Sequence, residues 1–120
     1  MLIAVLEKRA GLPLSTQDIF LNLVGGLKID EPAINMGIIA GLASSYYDTP
    51  LDARSVFIGE VGLVGEVRSV PFIEERIKES LKFGYEKIYI PSNSLKTINE
   101  KLKTQVTGIE SITNLFKQIF

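Results

Sequence analysis

The chain contains no cysteine and no histidine. Without cysteine there is no disulfide, no thiolate nucleophile and no zinc–thiolate site, and the composition suits a reducing compartment. Without histidine the commonest general base and the commonest metal ligand are both missing. An excess of one charge is missing too: 13 basic side chains face 14 acidic ones, for a net charge of −1. Bulk charge therefore gives no argument for nucleic-acid binding. Long apolar runs are also lacking. The longest, Met36 to Ala43, falls far short of the roughly 20 residues a membrane-spanning helix requires. In the opening MLIAVLEKRAG the charges follow the apolar stretch, the reverse of a secretory signal. These absences predict one cytoplasmic domain over residues 1–120 with no membrane partner, long enough to bury a core without covalent staples.

What is present reads as alternating helices and strands. Residues 1–10 carry Leu2, Val5, Leu6 and Arg9 at helical spacing, and Gly11 stops that helix. DIFLNLV, residues 18–24, alternates as a strand, and Leu27 to Ile29 resumes it briefly after Gly25-Gly26. Pro32 suits the first turn of a helix over about 32–46, apolar nearly all round and therefore buried. Within it Gly37 and Gly41 lie one turn apart, which predicts a smooth face for close packing. Residues 55–70 read as a single hairpin turning at Leu63-Val64-Gly65. A helix over about 72–83 carries the stripe Ile73, Ile77, Leu81, with a Glu74–Lys78 pair on its flank and Gly84 as its stop. Lys87 to Ile90 is a short buried strand ended by Pro91. Ser92 or Ser94 caps a helix carrying Leu95, Ile98 and Leu102. Residues 104–109 form a weak strand, and Ser111 caps a last helix with Ile112, Leu115, Phe116 and Ile119 on one side. The pattern predicts an α/β fold, a mixed β-sheet packed with helices, with at least one antiparallel pair.

Candidate chemistry is sparse. Gly59, Gly62 and Gly65 are spaced like a phosphate-cradling loop, but the run goes strand, turn, strand and lacks the GK[ST] signature, so these glycines read as structural. A Ser–Lys dyad is the main nucleophilic option left, with Ser44 or Ser45 as the hydroxyl. Those serines, near the end of a buried helix, are more simply read as bonding back to the helix carbonyls. Glu74-Glu75 and Asp30-Glu31 are the paired carboxylates. The first pair reads as solvated helix charge and the second as favourable charge before a helix N-terminus. Lys28, Arg54 and Arg68 on loops and strand ends are the candidate DNA contacts, with Lys96, Lys101 and Lys103 further along. No metal site is expected.

Three segments, LIAVLEKRAGL, GGLKIDEPAINMG and FIGEVGLVGEVRSVPFIEERIKESLKFGYEKIYIP, together resemble the C-terminal domain of the RadA (Sms) family of bacterial DNA repair proteins. The combination of EKRAG, DEPA and GE-x-GL-x-GEVR carries the resemblance, which covers nearly the whole chain. That domain is similar to the proteolytic domain of Lon protease, a ribosomal protein domain 2-like superfold. The resemblance implies that the first strands of a complete Lon-like domain are missing here. Active Lon enzymes carry a serine after an acidic-Gly-Pro turn and a lysine at the start of the helix after the hairpin. The resemblance puts Ala33 at the serine position and Glu74 at the lysine position, a degenerate peptidase. It further implies a scaffold for a homo-hexameric, ATP-driven motor that migrates branched recombination intermediates and meets single-stranded or branched DNA. The family's zinc motif and ATPase core have no counterpart in these residues, so neither cofactor is expected here. The competing reading is a Lon-type serine peptidase with an unconventional nucleophile.

Overall fold

The computed structural model describes residues 32–120. The expected helix over 1–10 and strands over 18–24 and 27–29 lie outside the described residues. Pro32–Ile34 forms a 3-10 turn that leads into α1, Asn35–Tyr47. Then come β1 (Ser55–Phe57), β2 (Glu60–Val61), β3 (Val67–Arg68), α2 (Ile73–Lys82) and β4 (Lys87–Pro91). A 3-10 turn over Ser92–Lys96, α3 (Glu100–Lys103), β5 (Val106–Ile109) and α4 (Ile112–Ile119) complete the order. Strands β1, β4 and β5 make a parallel sheet in that spatial order, and β2 pairs antiparallel with β3. The α/β class is met, but among the described residues the antiparallel pair is a sheet of its own rather than part of one mixed sheet.

Alternation along the central strand divides the core in two. Tyr89 joins Met36, Ile39 and Ala43 of α1, Val61 and Val67 of the hairpin, and Ile112 and Leu115 of α4. Ile88 and Ile90 join Ala33, Ile58, Ile77 of α2, and Ile98 and Leu102 of the β4–β5 crossover. The sheet therefore lies between two apolar layers, and β4 is covered on both faces, as a parallel strand requires. Helix α2 ends as its sequence suggested. Gly84 adopts φ +89°, the Gly84 N–H donates to Leu81 O (3.1 Å) and the Tyr85 N–H to Ser80 O (3.1 Å), a Schellman closure. Ser111 caps α4 by accepting the Asn114 N–H at 3.1 Å.

Three sequence expectations change. The hairpin is confined to residues 60–68, because β1 belongs to the parallel sheet instead. Gly59 makes the break: its N–H donates to Ala33 O (2.8 Å) and its carbonyl accepts the Met36 N–H (3.1 Å), so its polar groups turn to the start of α1. The expected helix from Ser92 or Ser94 to Leu102 is two pieces. Asn99, with ψ 140°, breaks it and caps α3 by accepting the Lys101 N–H, local bonding that competes with a continuous helix. Finally, α1 is not buried all round. Gly37 faces β1, where an added Cβ would sit 3.7 Å from Phe57 O, whereas Gly41 is exposed with nothing within 4 Å.

Gly108 and Gly41 make a matched pair for testing this packing. A Cβ on Gly108 would come within 2.7 Å of Leu95 Cδ1 and 3.2 Å of the Ser92 Cα. Gly108→Ala should lower the stability by about 1–3 kcal/mol through overpacking. Gly41→Ala should raise it by about 0.5–1 kcal/mol by removing a mid-helix glycine. Chemical denaturation midpoints of the two variants against the parent check both signs.

Candidate functional site

A cleft of about 510 Å³ lies between the Ala33 turn, β1 and one side of α2. Ala33, Ile34, Val56, Ile58 and Phe83 make it apolar, while Glu75, Arg76 and Glu79 supply its charge. Ala33 itself is 3% exposed and packs in the core layer with Ile77 and Ile88. Its carbonyl is held by the Gly59 N–H. The turn is thus fixed through backbone, and its side chain is a methyl group with no nucleophilic atom.

Glu74, the other position singled out by the resemblance, does not line this cleft. Its Oε2 accepts the Asn99 backbone N–H at 2.7 Å. The carboxylate on the first turn of α2 therefore ties that helix to the β4–β5 crossover, in place of the expected Glu74–Lys78 pair. Glu75, its neighbour, points to the cleft side. The two glutamates do not act together. Ser44 donates its hydroxyl to Thr49 O at 2.6 Å, forward across the end of α1 rather than back along it. Asp48 closes the same end with φ 51°, a left-handed conformation that Asp tolerates. Ser45 is exposed. Asp30, Glu31 and Lys28 lie outside the described residues.

Arg54 and Arg68 stand beyond opposite ends of β1. Arg54 pairs with Glu86 at 2.8 Å, beside a Lys87–Asp52 pair at 3.1 Å. The Arg54 backbone N–H and the Lys87 ammonium hold the Asp52 carboxyl below its ordinary range. Arg68 is opposite Glu60 in the hairpin register and pairs with Glu66 through Nη2 at 2.8 Å and Nε at 3.1 Å. Each cation thus already has a carboxylate. Both pairs are exposed, where such contacts contribute little stability.

Glu66 has a role the sequence reading missed. Besides Arg68, it accepts the Val64 N–H at 3.2 Å, so one carboxylate closes the hairpin turn. A Cβ on Gly62 would crowd that carboxylate and force it to shift. The turn is then fastened to the next element: the Val67 N–H donates to Glu110 O and the Ile112 N–H to Gly65 O, both at 2.9 Å. The spacing of Gly62 and Glu66 across a turn was the signal available. Among the described residues no three acidic side chains converge as metal ligands, and no helix is long and apolar enough to cross a membrane.

The Arg68 guanidinium, bonded to Glu66, holds that carboxyl below its ordinary range. A depressed folded-state value means the turn's stabilisation is present above the ordinary carboxylate range and is lost as pH falls through the folded value. In the parent chain, hydrogen exchange at the Val64 amide, corrected for its intrinsic rate, should therefore accelerate on acidification. In Glu66→Gln that acid-side change should be absent.

No family model matches the chain. It is 48% identical over all 120 of its residues to DNA repair protein RadA of Streptococcus pneumoniae strain R6, and covers 29% of that protein. DNA repair protein RadA of Streptococcus pyogenes serotype M3 (strain MGAS315) is 42% identical over 120 residues, with 26% of it covered. The Bacillus subtilis RadA is 44% identical over 117 residues, 98% of the chain and 26% of the relative. The chain thus spans between a quarter and a third of the length of these relatives. Along its whole length, this chain matches the C-terminal part of the DNA repair protein RadA.

Proposed function

We propose that the chain is a non-catalytic, Lon-like scaffold domain of a RadA-type DNA repair protein. The observation that carries this reading is Ala33. The position the resemblance assigns to the nucleophile holds a buried methyl group in a turn fixed by backbone hydrogen bonds. Glu74, at the assigned lysine position, accepts a backbone N–H, which a protonated lysine cannot do. In this reading the positions that would do chemistry in a peptidase carry groups that hold the fold: a methyl group in the core and a carboxylate bonded to backbone.

In this reading the domain works within a longer protein, as a self-associating part of a hexameric, ATP-driven motor on branched DNA. ATP and zinc belong to other parts of that protein, and the partners are further copies of itself and single-stranded or branched DNA. Six copies in a ring would multiply weak DNA contacts through effective concentration. Localisation in the cytoplasm follows from the same reading.

The test is turnover of casein and of fluorogenic peptides by the purified chain, alongside Ser44→Ala and Ser45→Ala. The expected result is no hydrolysis above a buffer control. Hydrolysis abolished by either serine substitution would overturn the non-catalytic reading in favour of an unconventional serine peptidase.

A further inference from the structure

Exposed apolar side chains gather at the cleft beside Ala33. Ala33, Val56 and Ile58 make its floor, and Ile34, Phe83 and Tyr85 stand on its rim. Phe83 is 72% exposed, Ile34 44% and Tyr85 36%. Phe83 and Tyr85 flank Gly84, whose left-handed turn and the hydrogen bonds around it hold both residues at the end of α2. Neither ring meets another aromatic ring among the described residues. Tyr47 and Phe120, also exposed, instead pack on each other with ring centroids 5.2 Å apart.

One wall of the cleft carries unpaired negative charge. Glu75 and Glu79 lie one helical turn apart on α2, are exposed, and pair with no cation among the described residues. Like charges at that spacing repel each other, so a cation brought between them gains from both. Arg76 is engaged elsewhere, its Nε–H donating to Pro71 O at 2.8 Å. The buried Ser80 hydroxyl is bonded to Arg76 O at 2.9 Å, which leaves the floor suited to an apolar side chain. A small molecule on that floor would leave the rim of Ile34, Phe83 and Tyr85 in water. A chain lying across the cleft covers floor and rim together, and exposed apolar surface bordered by charge is the form of a protein interaction site.

We infer that this cleft docks a basic, apolar segment of another protein. A bulky aliphatic or aromatic side chain of the partner fills the floor, and lysine or arginine side chains beside it meet Glu75 and Glu79. The inference goes beyond the scaffold reading and stands independently of it, because docking needs only the shape and charge of the cleft.

The experiment titrates the 120-residue chain with a fluorescein-labelled peptide that carries a Leu-Phe pair between lysines. Two control peptides replace the lysines by glutamate or the Leu-Phe pair by Gly-Ser. Three variants are compared, with circular dichroism to verify the fold: Phe83→Ala, Glu75→Gln/Glu79→Gln, and Leu63→Ser/Val64→Ser at the exposed hairpin turn. The parent should bind the Leu-Phe peptide and neither control. Phe83→Ala should weaken binding about tenfold, as loss of an anchoring aromatic contact does. The glutamine variant should weaken it roughly fivefold at low salt, and the difference should shrink as salt is raised. The hairpin variant should bind as the parent does. Backbone amide shifts on titration should centre on residues 33–34, 56–58 and 75–85. Equal binding of either control peptide, or shifts centred elsewhere, would overturn the inference. So would unchanged affinity in both cleft variants, or failure of the parent to bind at low salt. Each of those outcomes leaves the scaffold reading to its own test, peptide turnover.

Discussion

The rest of the structure depends on the backbone of one residue. Gly59 gives its N–H to Ala33 and takes the Met36 N–H on its carbonyl. It does so at the point where the chain leaves the parallel sheet to begin the hairpin. No side chain could be added there without crowding: a Cβ would lie 3.1 Å from Val67 Cγ1 and 3.2 Å from Met36 Cε. That closeness fixes the start of α1 against β1, puts Ala33 in one apolar layer and Met36 in the other, and sets where the hairpin starts. Buried backbone groups need partners. Here the partners of a strand end are the open N–H and C=O groups of a helix start, so two incomplete elements complete each other.

From there the architecture proceeds by fastening. The hairpin turn is closed by Glu66 and then bound to the end of β5 and the start of α4. Helix α2 is bound to the crossover by Glu74. Charged side chains in this domain thus act largely by bonding to backbone N–H groups, where geometry matters more than net charge. The surface ion pairs add little by comparison.

Much of the architecture was legible in the sequence because periodicity reports burial directly. The Ile73–Ile77–Leu81 stripe, Ser111 as a cap and Gly84 as a stop all stand where expected. The failures have two causes. The extent of the hairpin is set by a contact between residues far apart in the chain, and which side of α1 stays exposed by where β1 packs, while the break at Asn99 is a local cap that spacing alone does not reveal. Gly59 reads as one glycine among several until Ala33 is placed beside it. Likewise, nothing in the spacing of Glu74 and Asn99, 25 residues apart, shows that they meet. As for the site, Ala33 and Glu74 drew attention through resemblance, and composition alone would have passed over both.

The clasp at Gly59 also separates two properties that many enzymes keep entangled. Because the turn at residue 33 is measured out by main-chain atoms, its geometry does not depend on what side chain stands there. Any small residue that fits the core layer leaves the architecture as it was. The side chain at this point can therefore change while the path of the chain through the turn stays the same.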